Sequence, residues 1–465
     1  MKVLMVVYDN DSFTSYFPQG LAYLASAERE KGHEITIYQQ DIYHWPDEHL
    51  TEYLDNNSFD VVQVSVIGGY YQYRKLLKLS DAINNSRNRH KFKYLIGGHG
   101  PAAEPEYFLR KTKADYCGIG EGEITIVELF EAIEGKRDRR TVKGIAYIDE
   151  NDCYVRTEAR ELIEDIDSIS MPAYDLFDMT YYTMLRMPNI RANEKSIPML
   201  SGRGCIFACN FCYRMDKGFR PRSAKSIIEE IRFVKDKYNV SYIEFSDELL
   251  MSSQKRTLEL CQAFIDADLN IRWNCNGRLN FADLDVLKKM KEAGCTFINY
   301  GIESLDEPTL RVMHKGLTKE MIIRGVENTL AVGISPGLNI IYGNINEPLS
   351  AIDEAVEFLL KYDDHAQLRT IRPVTPYPGC ELYQYAIDKG LLEGPEDFYE
   401  NKHVNSDLMA VNFTQYTDEE VYNKLYEANM RLIDNYIRNQ RNSYEKICKD
   451  LYLNKDANFR GFRQT

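Results

Sequence analysis

SGRGCIFACNFCYRM, residues 201–215, places Cys205, Cys209 and Cys212 within eight positions. The apolar run SIPML at 196–200 precedes it, so the thiols leave the carboxyl end of a predicted strand. Thiolates are soft ligands that favour zinc or iron–sulfur clusters. Structural zinc takes four protein ligands, and no second CxxC or His pair supplies the fourth. A [4Fe–4S] cubane usually takes four thiolates as well. With three, one iron keeps an open site that a small molecule can occupy. The bland alternative is three core cysteines that happen to lie close together.

Downstream of the loop, strands and helices alternate. The strand candidates are SIPMLSG, YIEFSDE, IRWNCNG, FINYGIES, GLNIIYG and LRTIRPV, separated by helical stretches such as AKSIIEEIRFVKDKY and SAIDEAVEFLLKY. Six strand–helix units fall short of the eight of a closed barrel, so residues 196–395 predict an open partial (β/α)6 barrel. The cysteine loop then sits on the rim where barrel enzymes place their chemistry.

Upstream, residues 1–135 alternate in the same way. KVLMVVYD, EITIYQQD, VVQVSVIGG, KYLIGGHG and ADYCGIGEGE read as strands, and PQGLAYLASAEREKGH as a helix stopped by Gly32. This pattern predicts an α/β, doubly wound, Rossmann-like parallel sheet with Gly-rich turns at the carboxyl ends of its strands. Residues 136–195 form a connecting region, with a hairpin in KGIAYIDENDCYVRTEAR and a linker, MPAYDLFDMTYYTM, packed across a domain junction. Residues 396–465 form a Tyr-rich helical region, expected to close the barrel mouth, with TDEE at 417–420 as a capping box. Of its tyrosines, Tyr399, Tyr416, Tyr422, Tyr426 and Tyr436, the last three have the spacing of a buried helix face.

The 465 residues carry a net charge of −14, which argues against nucleic acid or an anionic membrane as a partner. No apolar run approaches the roughly 20 residues of a membrane span. VLMVVYD is too short for a signal-peptide core, so a cytoplasmic protein with reduced thiols is expected. The other seven cysteines are scattered, and most of them read as core.

CxxxCxxC with an aromatic, Phe211, before its last cysteine resembles the signature of the radical S-adenosylmethionine (radical SAM) superfamily. The resemblance implies a [4Fe–4S] cluster on Cys205, Cys209 and Cys212 whose open iron chelates SAM. Reductive cleavage would then give a 5′-deoxyadenosyl radical that abstracts hydrogen from substrate. It also implies Ser246, Asp247 and Glu248 near the methionine amino group, and Arg278 against the SAM carboxylate. Glu303 and Ser304 would meet the ribose hydroxyls. Gly343 and Glu347 match a fifth-strand motif, although Asn344–Asn346 replaces its usual Leu-Pro-Gly. For each charged residue the alternative is a strand-end salt bridge.

The first domain lacks GxGxxG after its first strand, which argues against NAD. PQGLAYLAS, VVQVSVIGG, IGGHGPAAEPEYFL and CGIGEGEITIVELF together resemble the cobalamin-binding domain that precedes the barrel in one class of radical SAM proteins. TPYPGCELY at 375–383 is a further element of that class. The resemblance places Ser65, Gly68 and Gly69 along the nucleotide tail of cobalamin. It places Gly97, Gly98, Gly118, Gly120, Glu121 and Gly122 where the tail's base packs on the sheet. Some cobalamin domains carry an Asp-x-His-x-x-Gly loop; here the loop Tyr8–Phe17 has no histidine, which implies cobalamin without a histidine lower ligand. His99 stands one place earlier than is usual for the class, and a structural role is expected for it.

The expected function is a cobalamin-dependent radical SAM enzyme that methylates an unactivated carbon of a small-molecule or peptide substrate. Its electron donor would be a flavodoxin or ferredoxin. The alternatives are a radical rearrangement, ring contraction or dehydration without methyl transfer, and a non-catalytic iron–sulfur or cobalamin sensor.

Overall fold

The computed structural model describes residues 1–457. Its first sheet is built from β1 (Lys2–Val7), β2 (Glu34–Gln39), β3 (Val61–Ser65), β4 (Lys93–Gly97), β5 (Tyr116–Gly118), β6 (Ile145–Ile148) and β7 (Tyr154–Arg156), in the order β2-β1-β3-β4-β5-β6-β7. The first five strands are parallel, as their apolar runs predict, because both faces are covered. Helices Gln19–Glu30 and Gly122–Ile133 cover one face through Leu21, Ala25, Ile126 and Leu129. Helices Asp47–Asn56, Tyr70–Asn84 and Pro105–Thr112 cover the other through Leu50, Leu76 and Phe108. The strand order reverses between β1 and β3, and ligands of such sheets bind beyond the carboxyl ends near that reversal.

The hairpin expected in the connecting region is β6–β7. It pairs antiparallel with β5 and so extends the first sheet instead of standing apart. The linker after it fills the junction: the Tyr174 ring stacks on Phe17 at 5.1 Å, and its hydroxyl donates to Glu230 Oε1 at 2.5 Å.

The second sheet comprises β8 (Ser196–Met199), β11 (Tyr242–Phe245), β12 (Arg272–Gly277), β13 (Cys295–Glu303), β14 (Ser335–Tyr342) and β15 (Ile371–Pro373). A short antiparallel pair, β9 (Gly202–Arg203) and β10 (Arg220–Pro221), lies between β8 and β11 in the chain. The six strands are parallel in the order β15-β14-β13-β12-β11-β8, an open partial barrel with β8 and β15 as its edges.

The long helix Asp418–Cys448 opens with the expected capping box of Thr417 and Glu420. Asn429 accepts from the Ile371 N–H at 2.9 Å and donates to the Ile371 carbonyl at 3.0 Å, so the helix caps the free edge of β15. An unpaired edge invites foreign strands, and this side chain occupies it. The buried stripe of the helix is Val421, Leu425, Ala428 and Leu432. Tyr426, expected in the core, is 68% exposed, because the stripe runs one position ahead of the tyrosines. Tyr399 instead packs on the first domain, stacked on Tyr73 at 4.7 Å. Residues 458–465 of the expected helical region lie outside the described residues.

Candidate active site

The cysteine loop is a closed excursion from the end of β8. Antiparallel pairing of β9 with β10 pins its base, and Cys205 bridges Lys217 inside it. Gly204 has φ +81°, and a Cβ there would meet the Gly218 carbonyl oxygen at 2.4 Å, so only glycine closes the loop. Asn210 holds the middle. Its amide exchanges hydrogen bonds with Asn344 at 3.2 and 3.0 Å, and its backbone N–H donates to the Met313 carbonyl at 3.0 Å. Asn344 is one of the residues that depart from the fifth-strand motif, and this amide pair gives the departure a purpose.

Cys209 is buried, Cys205 half-buried and Cys212 exposed. Arg278 and Lys315 form a cationic wall behind them. Arg278 Nη1 lies 3.9 Å from Cys209 Sγ, its Nη2 donates to the Lys315 carbonyl, and its guanidinium sits 3.5 Å from the centre of the Phe207 ring. A hydrogen bond from Cys212 holds the Cys209 thiol below its usual range; burial opposes it, and Lys315 and Arg278 assist. Arg278, expected against the SAM carboxylate, thus lies beside the cysteine sulfur. Lys315, which the sequence reading missed, pairs with Glu303 at 2.8 Å and lies 5.8 Å from the centre of the Phe211 ring.

The other strand-end candidates divide into two groups. Ser246 and Glu248 face the domain junction: Ser246 donates to Gln19 Oε1 of the first domain at 2.9 Å, and Glu248 is exposed. Although its surface is open to solvent, crowding by the surrounding protein desolvates the Glu248 carboxyl and, with the charges of Asp216 and Asp247, pushes it up. Asp247 lines the same space, but both its oxygens accept from Ser201, from the N–H at 2.8 Å and the hydroxyl at 2.5 Å. Glu303 stands at φ +71°, beside a register shift in β13. Such backbone strain in a non-glycine residue persists only where its surroundings hold it, here through Lys315. Ser304, Gly343 and Glu347 close on one another. Ser304 donates to Glu347 Oε1 at 2.8 Å, and the Gly343 N–H donates to Oε2 at 2.9 Å. Burial lifts the Glu347 carboxyl to about 7.

A cavity of about 410 Å³ runs from the end of β11 into the first domain; Gly204 lines it, but Cys205, Cys209 and Cys212 do not. Ser246, Glu248 and Gly204 line one wall; Ser65, Gly97, Gly98, Gly118, Gly120 and Gly122 line the other. A Cβ on Gly97 or Gly118 would meet nothing closer than 4.0 or 3.9 Å, and one on Gly120 nothing within 4 Å. At these positions the missing side chains leave room to the cavity. Gly98 differs, because its Cβ would strike the Val66 carbonyl oxygen at 2.3 Å, so the loop's own packing requires glycine. Gly68 and Gly69 lie off the cavity; a Cβ on Gly68 would meet Tyr399 and Tyr377 at 3.6 and 3.8 Å. His99 lines it, edge-on to Tyr213 of the cysteine loop at 6.0 Å. Glu121 also lines it, but its carboxylate is spent on the junction. It accepts from Arg203 at 2.8 Å, from Arg220 at 3.0 and 2.9 Å, and from the Ile163 N–H at 2.7 Å. Neither arginine was anticipated, although both flank the cysteine loop in sequence.

The radical SAM superfamily model matches residues 199–359, and the B12 binding domain model residues 5–130. Over 407 residues the chain is 30% identical to an uncharacterized methyltransferase of Pyrococcus horikoshii, covering 84% of each. The chain belongs to the radical SAM superfamily. A second relative of this radical SAM protein is the anaerobic magnesium-protoporphyrin IX monomethyl ester cyclase of Rubrivivax gelatinosus, 26% identical over 80% of this chain and 66% of that one. In fold it resembles TsrM, a radical S-adenosylmethionine methyltransferase of Kitasatospora setae solved with cobalamin and a [4Fe–4S] cluster. The TM-score is 0.67 at 18% identity, covering 85% of this chain and 79% of that one.

The residues of this radical SAM protein fit the groups its family implies. Three soft donors on one pinned loop, backed by two cations, suit a cluster carrying thiolate charge. The glycine-walled cavity suits a cofactor tail. Among the described residues no helix is long and apolar enough to cross a membrane.

Proposed function

We propose that this chain is a cobalamin-dependent radical SAM enzyme that methylates an unactivated carbon of a small-molecule or peptide substrate. The observation that carries the reading is the single cavity shared by the glycine turns of the first domain and the strand end beside the cysteine loop. Pockets at domain junctions are the usual home of such ligands.

Cys205, Cys209 and Cys212 would hold the cluster, Ser246 and Glu248 would meet SAM, and Gly97, Gly118 and Gly120 would admit the cobalamin tail. Once bound, these groups supply radical hydrogen abstraction and a transferable methyl; the protein supplies position and dryness. Arg278 and Lys315 balance thiolate charge, and Asn210 holds the loop against Asn344. Glu121, Arg203 and Arg220 fix the two walls of the cavity in register. Exposed Cys212 offers the approach for a flavodoxin or ferredoxin, and free thiols suit the cytoplasm. The loop Tyr8–Phe17 holds no histidine and would offer cobalamin no imidazole; His44, beyond β2, pairs with Asp9 at 2.8 Å and does not line the cavity, whereas His99 does.

The test is anaerobic reconstitution with iron, sulfide and hydroxocobalamin, followed by desalting, reduction and addition of SAM. Retained cobalamin, a cob(II)alamin EPR signal without imidazole nitrogen splitting and formation of 5′-deoxyadenosine support the proposal. Cluster and deoxyadenosine without retained cobalamin would favour the second reading, radical chemistry without methyl transfer, which the cyclase relative makes concrete. No deoxyadenosine at all would leave a sensor.

A further inference from the structure

The first-domain end of the cavity is lined by a glutamine, Gln63, that neither the cluster nor SAM explains. Alternation along β3 turns Val62 and Val64 to one core and Val61 to the other, so Gln63 faces the helices Gln19–Glu30 and Gly122–Ile133. Gln63 lines the cavity below Ser65, among the apolar side chains of Leu24, Leu95, Ile126 and Leu129. Its Nε2 donates to Glu28 Oε1 at 2.6 Å. Glu28 is fully buried, and among the described residues its Oε2 has no partner. Among the described residues no donor reaches Gln63 Oε1. Burial lifts the Glu28 carboxyl to about 8, so at neutral pH an uncharged group holds the Gln63 amide that lines the cavity.

An apolar slot with a polar floor asks for a ligand with a matching polar edge. Dimethylbenzimidazole, the base of ordinary cobalamin, presents C–H and methyl groups on its six-membered ring. Adenine presents an amino donor beside a ring-nitrogen acceptor, an edge that a glutamine amide matches with two hydrogen bonds. A site built to hydrogen-bond a ligand rejects the analogue lacking those groups, because its own buried groups are then left unpaired.

We propose that Gln63, oriented by Glu28, is a specificity-determining residue that selects the lower base of the corrinoid and favours adenine over dimethylbenzimidazole. The proposal rests on the cobalamin reading above and adds to it which corrinoid the domain prefers.

Binding isotherms of the full chain should be measured by absorbance with three probes: hydroxocobalamin, its adenine-based counterpart, and cobinamide, which has no base. The expected result is at least tenfold tighter binding of the adenine form. Gln63→Leu should abolish or invert the preference while cobinamide binding stays unchanged, which also reports an intact fold. Gln63→Met, linear and of similar volume, gives the same reading if the leucine variant does not fold. Equal or weaker binding of the adenine form, or a preference that survives both substitutions, overturns the inference and leaves the cobalamin reading standing. Failure to bind any of the three overturns both.

Discussion

Replacing Glu121 with alanine tests whether buried charge locks the two domains around one cavity. Glu121 is 6% exposed and accepts hydrogen bonds from Arg203, Arg220 and the Ile163 N–H. Removing one member of a buried, hydrogen-bonded ion pair costs about 3–5 kcal/mol, because its partner is left in a low dielectric. Here each arginine keeps a second carboxylate, Glu123 for Arg203 and Asp216 for Arg220. The expected loss is therefore about 3 kcal/mol, at the low end of that range and roughly a hundredfold in the folded-to-unfolded ratio. The two tryptophans serve as reporters: Trp45 belongs to the first domain and Trp273 to β12. Urea unfolding of Trp45→Phe and Trp273→Phe backgrounds should give coincident transitions with Glu121 present. With Glu121→Ala the midpoints should separate, and cobalamin retention should fall. Burial pushes the Glu121 carboxyl up, but the arginines and the Ile163 N–H outweigh it and hold it below its ordinary value. Its contribution is thus present above the unfolded value and lost as pH falls through the folded one, so the gap between wild type and variant should narrow in acid. A loss under about 1 kcal/mol at neutral pH, with coincident transitions, would refute the reasoning.

Cys205→Ala, Cys209→Ala and Cys212→Ala should each lose iron and SAM cleavage in anaerobic preparations. Cys261→Ala, a buried helix residue, should keep both; stoichiometric zinc without iron in the wild type would contradict the cluster. Gly97→Leu should block hydroxocobalamin retention with little change in melting temperature, because its side chain enters open cavity. Gly98→Leu should destabilise the domain with or without ligand, since its Cβ meets Val66 at 2.3 Å. Glu347, raised to about 7, favours the folded state below its unfolded value and loses that contribution as pH rises toward 7. Glu347→Gln should flatten the stability-versus-pH curve in that window, where the slope of the wild type is at most about 1.4 kcal/mol per unit.

The two sheets were legible because each strand is a short apolar run ended by glycine or polar residues, and CxxxCxxC carries its chemistry in its spacing. What escaped the sequence depends on partners distant in the chain. Glu121 reads as part of a glycine turn until Arg203 and Arg220 arrive 82 and 99 residues later. Asn344 looks like a lapse from a motif until Asn210 pairs with it across 134 residues. The helix tyrosines have the right period, but period fixes a stripe and not its phase, and the phase was set by Val421 and Leu425. Gly98 and Gly97 are neighbours of one residue type, yet one serves the loop's own packing and the other an open cavity. Only three-dimensional spacing separates them.

A product balance with methyl-labelled SAM bears most directly on the central claim, using anaerobic protein loaded with cluster and cobalamin and turning over its substrate. The account predicts label in the product, with S-adenosylhomocysteine and 5′-deoxyadenosine formed in equal amounts. Deoxyadenosine with an unlabelled product and no S-adenosylhomocysteine would contradict it.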